Sequence, residues 1–320
     1  MFRGIIRKAV NHLQWKILGD NVLLRKLTGR KGFGIKRSKI LGTLLYVFPV
    51  RNMLRFSAGS KGYYHEIHKL LHISKHEGHK LVRIGNQYDG GYIMLDDLSG
   101  GIAYSFGIFN DASWDKDMAS RGYDVFMYDH TIEKLPEYNP RFHFFRQGIA
   151  DGVTQDDRLK TLEELIAQNH HEDKQNMILK MDVEGAEWGF FEHIDEKILS
   201  QFSQIVFEIH GLNGEFHGIG IPDFERRIPK VLEKINRTHK LFHIHGLNNG
   251  YYISLGSKIF CNQIEVSYAL RSKYDFVEDY DVNLPLDVDM PCHENVPDVI
   301  LGHWNNAVRP EDAFTSITIL

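Results

Sequence analysis

The chain is poor in cysteine, short of long apolar runs and almost without acids at its front. Its 320 residues include two cysteines, Cys261 and Cys292. Two thiols this far apart give neither a disulfide framework nor a zinc-ligand spacing, which suits a reducing cytosol. The longest apolar run near the start, Ile40 to Val50, is broken by Gly42, Thr43 and Pro49. A bilayer-spanning helix needs about 20 apolar residues, so this run is not expected to span. No short apolar core with a small-residue cleavage site marks a secretory leader. Residues 1–61 hold one acid, Asp20, against 14 lysines and arginines, which leaves 24 basic and 41 acidic side chains in 62–320. The formal charge of −4 therefore joins a front end at +13 to a body at −17. An acidic body repels phosphates and argues against a nucleic-acid partner.

What is present, 42 % hydrophobic and 12 % aromatic side chains, is enough for a large α/β core. In residues 1–61, Phe2, Ile5, Ile6, Val10, Leu13 and Ile17 recur at helical spacing while Arg3, Arg7, Lys8 and Lys16 take other positions on the wheel. This basic amphipathic helical extension suits attachment to an anionic membrane surface, where each cation is worth about 1 kcal/mol. It equally suits a packing or oligomerisation arm that pairs with the acidic body. Residues 62–80 read as a His-rich linking helix, because His65, His68, His72, His76 and His79 follow helical steps that share one face. That face is either solvated or a metal stripe, although no carboxylate or cysteine completes a ligand set at matched spacing.

From residue 81 to 320 the rhythm becomes one of short apolar strands alternating with helical patterns, as in a single domain built on a parallel sheet. Strands are expected at 102–107, 124–129, 141–146, 177–182, 204–210, 240–245 and 258–268, with helices at 115–121, 161–169, 187–195 and 223–236. Thr161 and Glu164 have the spacing of a capping box.

Ligands of such sheets bind beyond the carboxyl ends of the strands. The first strand runs into Gly107, which admits a close ligand or simply makes a turn, and the three-glycine dinucleotide fingerprint is missing. The second strand ends in Asp129, placed to accept hydrogen bonds from ribose hydroxyls or to cap a turn. Strand alternation in Met177–Trp188 puts Lys180, Asp182 and, if the strand continues, Glu184 on one side. Alternation in the next strand does the same for Glu208 and His210. Ionisable groups are costly to bury at central strand ends unless they bind something or each other, and Lys180 with Glu184 can serve merely to order the turn.

These residues carry a resemblance. Lys-Met-Asp-Val-Glu-Gly-Ala-Glu at 180–187, with Glu-Ile-His-Gly at 208–211, resembles the FkbM-type branch of class I S-adenosylmethionine-dependent methyltransferases. The stretches 83–94 and 103–119 are similar to that branch's cofactor-loop region, and 241–249 and 264–271 to its last two strands. The resemblance implies a Rossmann-like, seven-stranded sheet with helices on both faces, six parallel strands and a reversed last one. It implies cofactor contacts at Asp89, Gly90, Gly107, Asp111, Asp129, Ile149, Ala150 and Asp151, and Asp182 facing the transferred methyl group. Ser105 stands where the family has an acid, and Asp111 is expected to compensate at the cofactor ammonium.

A sugar hydroxyl has a high pKa, so methylating it needs a base or a metal. His210 is the natural base at neutral pH, oriented by Glu208 or Asp182, with Glu184 a further catalytic candidate. Alternatively Asp182, Glu208 and His210 hold a divalent ion. The expected acceptor is a glycan or lipid-linked sugar, and the expected location is cytoplasmic, peripheral on the inner face of the membrane. Two other readings stay open: a nicotinamide-dependent oxidoreductase, and a non-catalytic membrane-associated scaffold on the same fold.

Overall fold

The computed structural model describes residues 59–152, 154–217, 219–248, 252–255, 258–278, 281–307 and 314–318. The basic extension therefore lies almost wholly outside the described residues, which fall in one compact unit beginning at Ser57. Strand β1 (Leu81–Gly85) pairs antiparallel with β2 (Gly91–Leu95) in a hairpin. The seven-stranded sheet is made by β3 (Gly101–Phe106), β4 (Tyr123–Tyr128), β5 (Phe142–Phe145), β6 (Met177–Met181), β7 (Phe202–Ile209), β8 (His239–Gly246) and β9 (Ile264–Leu270). Their order across the sheet is β8-β9-β7-β6-β3-β4-β5. The pairs β3–β4, β4–β5, β3–β6 and β6–β7 are parallel, whereas β9 runs antiparallel to both β7 and β8. Six strands thus share one direction and the last is reversed, a doubly wound mixed sheet as expected.

The central strands are apolar because both faces are covered, and β6 and β7 are buried along their whole length. Among the helices that pack around the sheet are α1 (Lys61–Leu70), α2 (Ser113–Ser120), α3 (Leu162–Gln168), α4 (Glu187–His193) and α5 (Phe224–Thr238). On one face, Trp114 and Met118 of α2 meet Ala103, Val125, Ile178 and Val206 alongside the hairpin residues Ile84, Tyr92 and Met94. The other face gathers α1, α3, α4 and α5 in a single cluster. Helix α5 presents Ile228, Val231, Leu232 and Ile235 to it at helical spacing, each such side chain worth about 1.5–3 kcal/mol on burial. The capping box forms as read: the Glu164 amide donates to Thr161 Oγ1, and the Thr161 amide to Glu164 Oε2.

Two expectations are corrected. The His-rich helix stops at Leu70, so it carries His65 and His68 but not His72, His76 or His79. Competing partners end it: the Ile73 amide donates to Asn305 Oδ1 and the Ser74 amide to the Leu241 carbonyl. The five imidazoles therefore share no helical face. The span 258–268 is also not one strand. Lys258–Cys261 pairs with Tyr252–Leu255, and β9 begins only at Ile264. Asn262 makes the break, its carbonyl accepting from the Leu212 amide and its side chain from the Asn213 amide.

Candidate functional site

The carboxyl ends of β3, β4, β6 and β7 deliver the site. At the end of β3, Gly107 has φ +77°, and a Cβ there would lie 1.6 Å from the Asp182 carbonyl oxygen. The glycine is required by the neighbouring strand itself, because the Asp182 amide donates to the Phe106 carbonyl at 3.0 Å and holds the two chain exits together. Lys180, 5 % exposed, donates to the Gly107 carbonyl at 2.5 Å and so fastens the same turn from beneath. It does not pair with Glu184. Ser105 faces the buried Asp115 of α2, whose carboxyl is pushed up by burial and held back by Lys180 and by the nearby Ser105. An acid thus reaches the end of β3 from α2 rather than from the strand.

Asp129 stands where expected, at the end of β4, with its carboxylate committed to the chain. Oδ2 accepts from the amides of Ile108 and Phe109, and Oδ1 from the amide and hydroxyl of Thr131. Burial pushes its pKa up, but these donors outweigh it and hold the group below the ordinary carboxylate range. Four donors occupy the sites a carboxylate offers, so in this arrangement Asp129 orders the β3–α2 loop rather than projecting an oxygen toward a ribose. Gly90, at φ +81° in the β1–β2 turn, touches Asp111, since a Cβ there would lie 2.8 Å from Asp111 Oδ2. Asp111 accepts from Asn86 Nδ2 and from the Ser113 amide, which joins the hairpin turn carrying Asp89 to the start of α2. Asp89, Gly90, Gly107, Asp111 and Asp129 are thus gathered around one loop.

Residues 149–151 stand differently. Ile149 is a core residue at 4 % exposure. The Ala150 amide donates to the Lys160 carbonyl, and Asp151 accepts from Thr154. The Asp151 carbonyl packs on α4, where a Cβ on Gly189 would come within 2.1 Å of it.

The densest chemistry lies at the ends of β6 and β7. His210, 1 % exposed, has Nε2 3.2 Å from Glu208 Oε1 and 3.8 Å from both Asp182 Oδ1 and Glu184 Oε2. Its Nδ1 is 3.3 Å from Glu187 Oε1. Burial lowers the imidazole pKa, but Glu187 and Glu208 more than reverse this and raise it well above the ordinary value. His210 therefore keeps its proton at neutral pH and does not suit the role of general base expected from sequence. Burial and Asp182 raise Glu208 to about 8, His210 opposing. Burial also raises Asp182, against Lys180 and His210. One Asp182 oxygen, Oδ1, is enclosed and makes no hydrogen bond, while the side chain as a whole is 28 % exposed. Asp182 is thus the group at the strand ends with an acceptor oxygen to give.

Glu184 arrives by another route than alternation. Strand β6 ends at Met181, and a turn with Glu184 at φ +54° and Gly185 at φ +102° lifts Glu184 to the rim, 67 % exposed and 3.6 Å from His217. Glu187 was not singled out from sequence. It is fully buried, accepts from the His210 amide at 2.7 Å and from the Gly185 amide at 2.9 Å, and so fixes both the turn and the imidazole. Its signals were its place at the end of the 180–187 string that carries the resemblance, which was assigned no role, and an acid in the first turn of a helix, which commonly does no more than favour the helix dipole. Tyr92 of β2, also unforeseen, is buried among Asp182, Glu208, Glu265 and Asp89, which with burial hold its phenol protonated.

Among the described residues, Asp182, Glu208 and His210 form the group whose ligand atoms all lie within 4.8 Å of one another. Glu187 on the second nitrogen of His210 adds the outer carboxylate that metal-binding imidazoles commonly have. Residues 120–242 match the family model described as Methyltransferase FkbM domain. The match runs from the last residue of α2 into β8, so it includes Asp129, Asp182, Glu208 and His210 and leaves out the β1–β2 hairpin, Gly107 and β9. No curated protein matches the chain. The match supports a methyltransferase and, with it, use of S-adenosylmethionine.

Proposed function

From that match and the strand-end geometry, we propose that the protein transfers a methyl group from S-adenosylmethionine to a hydroxyl of a glycan or lipid-linked sugar. The observation that carries the reading is the enclosed Asp182 oxygen without a hydrogen-bond partner, beside a loop that Gly107, Lys180 and Asp129 hold in place. The residues fit the cofactor chemically. Its sulfonium and ammonium are cations, and Asp89, Asp182, Glu184, Glu187 and Glu208 outnumber Lys180 and His210 around the strand ends. The cofactor supplies an electrophilic methyl group, so the chain has to align a nucleophile and remove one proton.

Asp182 suits that proton. Its raised pKa makes it a stronger base than an ordinary carboxylate, and its side chain is 28 % exposed with no hydrogen bond at Oδ1. His210, held as imidazolium between Glu187 and Glu208, orients Asp182 and stabilises its charge before transfer. The neutral acceptor follows from the surplus of carboxylates, which accept hydrogen bonds from sugar hydroxyls and repel phosphate.

A second reading is favoured by the ligand spacing at Asp182, Glu208 and His210. There a divalent ion of the Mg²⁺ or Mn²⁺ type would hold the acceptor oxygens and favour the alkoxide, with His210 neutral and Glu187 behind it. Titration with Mn²⁺ followed by electron paramagnetic resonance decides between the two. The metal-free reading expects no specific binding, and saturable binding abolished by Glu208→Gln would replace it.

No helix among the described residues is long and apolar enough to cross a membrane. The +13 charge of residues 1–61 suits contact with an anionic leaflet at the cytoplasmic face. Deleting residues 1–56 is expected to abolish co-sedimentation with vesicles of phosphatidylserine and phosphatidylcholine and to leave cofactor affinity unchanged. Equal sedimentation of the shortened chain would return the segment to a packing arm.

A further inference from the structure

The row of acids does not stop at Glu208. Across the sheet Glu208 lies opposite Glu265 of β9, and Glu265 opposite His245 of β8, so the three side chains share one face at the active end of the sheet. His245 is 1 % exposed and uses both ring nitrogens: Nδ1 lies 3.0 Å from Glu265 Oε2, and Nε2 lies 3.0 and 3.2 Å from the two oxygens of Asp298. Asp298 belongs to a stretch after the sheet, residues 285–301, that has little regular structure of its own. The same run of β8 and its exit holds that stretch at two further points. His243 Nε2 lies 3.0 and 3.2 Å from the Asp289 oxygens. Asn248 donates to the carbonyls of His293, Val296 and Pro297 and accepts from the His293 amide.

The stretch is therefore a strap, fastened by three polar side chains, and its middle reaches the site. Cys292, 7 % exposed, lies close enough to Asp89, Glu208 and Glu265 that all three carboxylates add to the burial that raises its thiol. Asp89 and Glu208 are residues of the proposed transfer site. Most of this lies beyond residue 242, where the family match ends.

We propose that His245 is a positioning residue: held between Glu265 and Asp298, it ties the strap 285–301 to the row of acids ending at Glu208, and the strap walls the site where Cys292 nears Asp89 and Glu208. A chain with both ring nitrogens facing carboxylates calls for the imidazolium, the form in which both donate. The charged groups facing His245 agree. Burial alone would lower its pKa, but Asp298, Glu265 and the more distant Asp289 carry it to about 10. An unfolded histidine loses its proton near 6.5. The stabilisation from this clamp is thus fully present below about 6.5 and is lost as pH rises toward 10.

The wall's role rests on the methyl-transfer reading, whereas the clamp can be tested without cofactor or acceptor. Full-length protein would be treated with iodoacetamide, and modification of Cys292 and of Cys261, itself 1 % exposed, followed by mass spectrometry. In His245→Gln, Cys292 is expected to react about tenfold faster or more while Cys261 stays protected, as local opening of the strap requires. Asp298→Asn, which keeps the Glu265 contact, should fall between the two. In the unaltered protein, ¹⁵N spectra at pH 8 should show both nitrogens of His245 protonated. Unchanged Cys292 reactivity in His245→Gln, equal acceleration of both cysteines, or a neutral His245 at pH 8 would each overturn the proposal. Failure of cofactor binding with the clamp results intact would instead count against the methyl-transfer reading alone.

Discussion

Replacing Asp182 with Asn is expected to lower kcat by about 10²–10⁴-fold, the usual worth of a positioned general base, and to leave the affinity for S-adenosylmethionine little changed. Asn keeps the shape and removes the basic oxygen, so the loss falls on the step in which the acceptor hydroxyl gives up its proton. The pH profile supplies a second reading of the same residue. Burial raises the Asp182 pKa against Lys180 and His210, so the acid limb of kcat should lie above the ordinary carboxylate range, with activity rising as pH increases through it. Asp129→Ala is expected to do the reverse. It removes the acceptors for the amides of Ile108 and Phe109 and for Thr131, releasing the β3–α2 loop, and cofactor affinity falls while turnover at saturating cofactor is kept. Isothermal titration with the cofactor, set beside steady-state rates, checks both halves. Loss of cofactor binding in both variants would show that the two acids do not divide the work.

Gly107→Ala should have the largest effect on stability. The position has φ +77°, which costs a side-chain-bearing residue about 1–2 kcal/mol by itself. The added methyl would also lie 1.6 Å from the Asp182 carbonyl oxygen, far inside contact distance and against backbone that cannot swing away. Either β3 and β6 part at their ends or the turn rebuilds, and both disrupt the carbonyls that Lys180 binds. A total of about 4–5 kcal/mol is expected, which in a domain of this size lowers Tm by about 10–20 °C. Gly90→Ala is the milder comparison, because the added Cβ meets the Asp111 carboxylate at 2.8 Å and that side chain can turn. Thermal unfolding of the two variants should rank them in this order.

What the sequence reveals and what it hides follow from the range of the interactions. Asp129, Asp182, Glu208 and His210 could be placed because each stands at or near the carboxyl end of a short, mostly apolar run, where ligands of a parallel sheet bind. The reversed β9 came with the resemblance, not from any local pattern, and the order of the strands across the sheet was not read from the sequence. Glu187 was hidden because an acid opening a helix looks the same whether it faces water or a buried imidazole. The His-rich helix failed for a related reason: a helical wheel extends the pattern past Leu70, whereas the backbone of Ile73 and Ser74 is claimed by Asn305 and by the Leu241 carbonyl, partners far along the chain. His210 stands beside Asp182 and Glu208, and its surroundings favour the imidazolium over the neutral base read from sequence. An imidazole alone is a neutral-pH base, and only the fold shows that carboxylates from two elements, Glu208 of β7 and Glu187 of α4, surround this one.

The central claim is that the strand ends form a methyl-transfer site for a sugar hydroxyl. Incubating the full-length chain with S-adenosylmethionine and a panel of glycans and lipid-linked saccharides, and following release of S-adenosylhomocysteine, tests it most directly. The account predicts acceptor-dependent release that Asp182→Asn abolishes while still binding the cofactor. Unaltered protein that fails to bind S-adenosylmethionine, or release that no saccharide stimulates, would contradict it.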